Sequence, residues 1–205
     1  PEYKAVLDDM YGGLSDKVGL SSLNPRGGIL ISSPQAKVPY HFDKTETILW
    51  HVRGKKSMYL YPLTEKFIPD RSYEATILNN LDDDLPYDSS YDEEATKVDL
   101  EEGQALSWPL NMPHRVDNQT FCVSVTTEYS TRESMMKNSA MVTNATLRHR
   151  FGIKSSYTKA SPLNRHIKSV FGQIIDKAGL AAKVKKDDMV TFKIDPSAPG
   201  FIVNV

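Results

Sequence analysis

The chain has 205 residues, of which 40% are hydrophobic and 25% charged, with a net charge of −1 and a single cysteine. That size and balance suit one globular core with an appended subdomain and exclude a disordered or fibrous chain. No apolar run approaches the roughly 18 residues of a membrane span. The lone Cys122 permits no internal disulfide and fits a reducing compartment, so the expected location is cytoplasmic.

The net charge hides an asymmetry. Lys+Arg against Asp+Glu stands at 12 to 21 through residue 130 and at 13 to 5 beyond it, about −9 and +8. The two parts therefore differ in role or attract one another. The tail "KVKKDD" at 183–188 is basic but has no interleaved aromatics, and Asp187 and Asp188 dilute it, so nucleic acid is not the expected partner.

In chain order, "GGILISSP" at 27–34 is apolar and β-branched between glycines and a proline, which predicts a buried strand. "ETILWHVRG" at 46–54 alternates and "KKSMYLYP" follows it, which predicts a hairpin turning at Arg53-Gly54. Residues 70–102 are polar, with ten acidic residues from Asp82 to Glu102 against the single base Lys97. They read as a long looped connection, either a solvated face or an element that recruits a basic substrate. "FCVSVTTEY" at 121–129 predicts a further strand.

The pattern changes after Ser130. "RESMMKNSAMVTNATLRHRF" and "NRHIKSVFGQIIDKAGLAAKV" space their apolar residues helically, with Ile167, Val170, Phe171, Ile174, Ile175 and Ala178 on one face and Gly179 as a stop. "MVTFKID" at 189–195 reads as a short strand. The division is a β core over 1–130 and a helical extension over 131–205, packed on the core.

The chemistry concentrates in "PYHFDKTETILW", where His41 and Asp43 are two residues apart and so share one face of an extended strand. A third ligand is available from His114 in "SWPLNMPHRVDN". Two histidines and one carboxylate on one face of an octahedron suit a non-haem Fe(II) oxygenase and leave positions open for cosubstrate and O2. Zinc accepts the same set, so residue type alone leaves the metal open. His51 shares the parity of His41 and Asp43 and reads as a pocket or core histidine, whereas His149 and His166 read as surface residues. Trp50, Trp108 and Tyr40 are candidate cavity walls.

These stretches resemble the JmjC group of cupin-like Fe(II)/2-oxoglutarate oxygenases, a group that includes an asparaginyl hydroxylase. The resemblance covers residues 27–130 and rests on His41-x-Asp43 with His114, Val52-x-Gly54-x-Lys56, and Pro113-His114-x-Val116-x-Asn118. Gly103, Pro109, His114 and Asn118 also follow the general second cupin motif, with one extra residue between Pro109 and His114. The resemblance implies a mainly β fold, a double-stranded β-helix (jelly roll) followed by the helical segment. It further implies iron on His41, Asp43 and His114, 2-oxoglutarate chelating that iron, and oxidation of a C–H bond in a substrate the sequence does not name, a protein side chain or small metabolite.

Lys56 stands where that group's asparaginyl hydroxylase carries its 2-oxoglutarate lysine, and strand parity puts Lys56, Met58 and Leu60 on one face; Arg53 and Lys55 are the alternatives. Thr47 and Asn118 are further candidate cosubstrate contacts. Glu128 and Val38 fall where the relative carries an amide and a hydroxyl, and Tyr59 or Ser124 offers a compensating hydrogen bond. The placement of 163–182 resembles the helices through which the relative dimerises, so its apolar face is expected either to form a homodimer or to pack within the chain. Two other readings fit the same residues: a cupin metal enzyme that uses no 2-oxoglutarate, and a non-catalytic ligand-binding module.

Overall fold

A computed structural model describes residues 2–79, 85–157, 159–181, 192–194 and 202–204. The basic tail 183–188 and the acidic residues Asp82, Asp83 and Asp84 lie outside the described residues. Eight strands form two four-stranded antiparallel sheets: β1 (Leu23–Ser32), β2 (Lys37–His41), β3 (Glu46–Arg53), β4 (Lys56–Leu60), β5 (Thr96–Leu100), β6 (Ala105–Ser107), β7 (His114–Asn118) and β8 (Cys122–Ser130). One sheet has the order β1-β8-β3-β6 and the other β2-β7-β4-β5. Strands β1, β3, β6 and β8 thus face β2, β4, β5 and β7 across a shared interior, the jelly-roll arrangement. Leu49 of the first sheet meets Met58, Leu100 and Val116 of the second in that interior, with Trp108 beside them.

The stretch expected to be a hairpin is instead the corner between the sheets. β3 pairs with β6 and β8, while β4 pairs with β5 and β7. Gly54, at φ +92°, makes the crossing, and a Cβ there would sit 2.2 Å from the Phe121 carbonyl oxygen. Only glycine suits that combination of left-handed backbone and contact. His51 reinforces the corner, with Nε2 2.8 Å from the Gly54 carbonyl oxygen and Nδ1 3.1 Å from Ser124 Oγ.

Three further expectations change. The strand at 27–34 exists but is not buried: Ile29 and Ile31 are 53% and 69% exposed. β1 lies at the edge of its sheet, paired with β8. The cover for β1 comes from helix α1 (Glu2–Val18), which the sequence reading left inside the β core. Its Leu7 fills the space where a Cβ of Gly27 would be, and the Tyr11 hydroxyl donates to the carbonyls of Arg26 and Glu128. Finally, the expected loop at 70–102 contains helix α2 (Asp70–Asn79), a 3-10 turn over Ser89–Glu94, and β5.

The helical part follows its own signals. Helix α3 (Arg132–Phe151) starts with a Thr131–Ser134 capping box and stops at Gly152, φ +67°. Helix α4 (Pro162–Lys177) starts at the Ser161 cap, and Gly179 follows its end at φ +65°. A Cβ at Gly172 of α4 would lie 1.7 Å from the Ser139 carbonyl oxygen of α3, so these helices meet backbone to backbone. α3 joins the core through Met141, which packs with Tyr40, Phe42, Tyr61, Phe67 and Tyr73. Arg148 of α3 donates to the buried Glu74 of α2 at 2.7 Å. Ile167, Val170, Phe171 and Ile174 of α4 remain exposed. Short strands β9 (Phe192–Ile194) and β10 (Ile202–Asn204) pair with each other.

Candidate metal centre and its cavity

β2 ends on His41 and β7 begins on His114, and the register places the two opposite each other. Asp43 follows in the turn into β3. One ligand atom from each residue can be chosen so that all lie within 4.8 Å of one another. Asp43 Oδ1 is 3.9 Å from His41 Nε2, and Oδ2 is 3.7 Å from His114 Nε2. Each imidazole is oriented from behind. His41 Nδ1 faces the Pro39 carbonyl oxygen at 2.7 Å, and His114 Nδ1 faces that of Met112 at 3.0 Å. A carbonyl only accepts, so Nδ1 carries the proton and the Nε2 lone pairs point to the shared space, the tautomer a metal ligand needs.

Electrostatics agree with that role. Burial, with the neighbouring His41 adding to it, pushes His114 down to about 3, so the ring is neutral at physiological pH. Burial raises the Asp43 carboxyl, against the pull of His41, hydrogen bonds from Thr47 and Trp108, and the charge of Arg26. A buried carboxylate beside the neutral His114 ring is a place where a divalent ion would be stabilised.

The three side chains open into a cavity of about 250 Å3 between the sheets. Leu49, Met58, Val116 and Trp108 give it apolar walls; Lys56, Asn118, Thr47, Thr126 and Glu128 are its polar lining. Lys56 points inward as parity predicts and is 3% exposed. Its ammonium has no hydrogen-bond or carboxylate partner among the described residues, and burial lowers its pKa. Lys55, the alternative, faces out near Glu101. Asn118 donates to the Ala36 carbonyl at 2.8 Å, while its Oδ1 is buried without a partner.

Other candidates fall elsewhere. Ser124 is engaged by His51 and does not line this cavity, and Tyr59 stacks outside it, 3.5 Å from the Arg115 guanidinium carbon. Trp50 donates to Thr127 Oγ1 and Tyr40 to the Phe67 carbonyl, so of the three expected wall aromatics only Trp108 serves. His149 and His166 are exposed. Glu128 lines the cavity as a carboxylate, yet Arg26 pairs with it at 2.9 Å and offsets its charge.

Sequence reasoning missed Asn111. It is 1% exposed and sits at φ +63°. Its Nδ2 donates to the Asp43 carbonyl at 2.9 Å, and its Oδ1 accepts from the Tyr73 hydroxyl at 2.5 Å. Asn138 of α3 likewise donates to the Lys44 carbonyl. The turn carrying Asp43 is thus held from both the His114 loop and the helices. The available signal was an asparagine, tolerant of left-handed backbone, in the proline-flanked turn "PLNMP".

No known family's sequence profile matches the chain, and no curated protein does. Solved structures with partial likeness include a cupin superfamily protein from Desulfitobacterium hafniense (12% identity, 55% of this chain and 73% of that one, TM-score 0.34). Others are oxalate decarboxylase from Lactobacillus farciminis (11%, 57% and 26%, TM-score 0.35) and a conserved protein of unknown function from Streptococcus pyogenes (7%, 55% and 70%, TM-score 0.36). The chain therefore spans about a quarter of the decarboxylase's length. Likeness this loose carries no inference about chemistry, and the jelly roll is read from the strand order itself. Among the described residues no helix is long and apolar enough to cross a membrane.

Proposed function

We propose that the protein is an Fe(II)- and 2-oxoglutarate-dependent oxygenase that hydroxylates a C–H bond. The observation that carries this reading is that a His-His-Asp cluster and a buried ammonium without a protein counter-charge share one cavity of about 250 Å3. A metal explains the first and an anion the second. 2-Oxoglutarate joins both needs in one molecule, since its keto acid end chelates a metal and its far carboxylate requires a buried cation.

His41, Asp43 and His114 would hold the iron on one face. Lys56 would bind the far carboxylate, with Thr47 and Asn118 as hydrogen-bond partners along the cavity. Chelated iron supplies oxygen activation coupled to decarboxylation of the keto acid to succinate and CO2, with one oxygen atom delivered to the substrate. Apolar Leu49, Met58, Val116 and Trp108 would keep water from the reacting centre. The Arg26 guanidinium would keep Glu128 from repelling the anion. A cavity of this size, once it contains the cosubstrate, leaves the substrate to enter from the mouth, where His41 and Asp43 are the more exposed ligands.

The test is anaerobic titration of the Fe(II)-loaded protein with 2-oxoglutarate, read as the weak visible charge-transfer band of the chelate. A band lost in His114→Ala and weakened in Lys56→Met supports the reading. Metal bound without a band overturns it in favour of a cupin metal enzyme acting on a small ligand directly, a second reading to which the carboxylate of Glu128 in the cavity lends weight. The exposed stripe Ile167, Val170, Phe171 and Ile174 is proposed to pair with a second copy. Light scattering on the wild type and on Phe171→Lys tests it, and a monomer in both rejects it.

A further inference from the structure

A cavity of about 330 Å3 lies outside the barrel, where the 63–70 segment, α2, α3 and the segment before α4 meet. That volume is at the lower end for small-molecule sites. Lys137 lines it from α3, with its ammonium 5.6 Å from the centre of the Tyr73 ring. Among the described residues this ammonium has no hydrogen bond and no carboxylate within ion-pair reach. Glu133 and Glu46 act on it only from further away, and burial lowers its pKa. Such an ammonium is costly to leave unpaired, and a ligand anion would satisfy it.

The remaining lining narrows the class. Lys159 and Arg165 add positive charge against Glu65 and Asp70, and Asp70 is itself 4.0 Å from Arg148. Tyr73 and Tyr157 offer ring surface for an apolar body, with the Arg165 guanidinium 4.9 Å from the Tyr157 ring centre and the buried Met141 lining the wall. The cavity also shares its wall with the metal centre. Asn111 lines it, accepts from Tyr73 and donates to the Asp43 carbonyl, so a ligand that moves Tyr73 acts on the segment bearing a metal ligand.

We propose that this cavity is a second binding site, for a small organic anion with a ring or short apolar chain, its anionic group at Lys137 and its body against Tyr73, Tyr157 and Met141. Its occupancy is linked through Asn111 to metal binding at His41, Asp43 and His114. By reciprocity, metal then alters affinity for the anion. The site does not depend on which cosubstrate the metal centre uses.

Calorimetric titration with benzoate, phenyl phosphate and hexanoate tests the proposal, on the full chain with and without Mn(II). At least one probe binds saturably, at least tenfold more weakly in Lys137→Met, with affinity restored in Lys137→Arg and unchanged in Lys56→Met. Mn(II) shifts that affinity at least threefold in the wild type and not in Asn111→Gly at Mn(II) concentrations that saturate the variant. Binding by none of the probes, or equal binding in Lys137→Met, overturns the site; loss in Lys56→Met assigns the binding to the barrel and overturns it as well. Equal affinity with and without Mn(II), when electron paramagnetic resonance shows the ion bound, overturns the linkage. Absence of Mn(II) binding would instead count against the proposed metal function, leaving the titration of metal-free protein to decide the anion site.

Discussion

Replacing Lys56 by methionine separates a binding residue from a structural one, because the two roles predict opposite signs. The side chain is 3% exposed, and its ammonium has no acceptor or counter-charge among the described residues. Folding therefore desolvates a charge with little compensation: burial lowers its pKa, and the neighbouring Cys122 opposes this only in part. Methionine has similar length, fills the same space beside Met58 and Val116, and removes that cost, so the melting temperature of Lys56→Met stays equal or rises. Binding of 2-oxoglutarate goes the other way. A hydrogen bond to a charged group contributes roughly 1.5–3 kcal/mol net, about 10- to 150-fold in Kd, and burying the far carboxylate against methionine adds to the loss. Calorimetry with Mn(II)-loaded protein reads the Kd and differential scanning fluorimetry the melting temperature, while Mn(II) affinity itself stays constant. A destabilised variant, or one that binds 2-oxoglutarate as the wild type does, refutes the assignment.

Three other outcomes follow from particular contacts. His114 ordinarily titrates near 6.5 and is held near 3 by burial, so below 6.5 the unfolded chain takes up a proton that the folded chain refuses. Metal-free protein therefore loses stability as pH falls through that window, by about 2 kcal/mol between pH 7 and pH 5. Asp43, raised by burial, acts in the opposite sense, so urea melts compare the wild type with His114→Asn, whose smaller loss isolates the histidine; equal losses contradict it. Gly54→Ala places a Cβ against the Phe121 carbonyl at a left-handed φ and costs about 2 kcal/mol or more in a urea melt; a neutral result would mean the sheet corner is not held as described. Asn111→Gly keeps the backbone conformation but drops both hydrogen bonds, and weakens Mn(II) binding about 10- to 100-fold; unchanged affinity would remove Asn111 from the metal's support.

What could be read from the chain was what leaves a period or a parity. β3, β4, β8 and α4 carry regular apolar spacing, and Lys56 declares its inward direction by its place in an alternating strand; Asp43, expected to share a strand face with His41, reaches the same space from the turn after β2. The connection between strands leaves no such trace. A jelly roll sends β3 and β4 to different sheets, and the glycine that makes this corner looks in one dimension like the glycine of a hairpin. α1 has no buried residue to mark a face, and α2 stands in a polar stretch just before a run of carboxylates. Ser124 was misplaced, and Asn111 missed, for a related reason: parity says which way a side chain points but not which partner reaches it first. His51 takes the serine, and the asparagine works through main-chain carbonyls that sequence does not display.

The ladder between β4 and β7 also acts as a ruler. Leu60 is opposite His114 and Lys56 is opposite Asn118, so the proposed anion-binding lysine and the level of the proposed metal ligand His114 are separated by four residues of strand, about 13 Å at 3.3 Å per residue. Small loop movements cannot tune this spacing. Side chains return to the cavity only at every second residue, so it changes in steps of about 7 Å, and the next inward position is Met58. Exchanging the two, as Lys56→Met with Met58→Lys, brings the cation one step closer to the triad. A step of about 7 Å is longer than the carbon chain between the two ends of a five-carbon keto diacid, so the exchange should weaken 2-oxoglutarate binding, which makes cosubstrate fit a consequence of strand register.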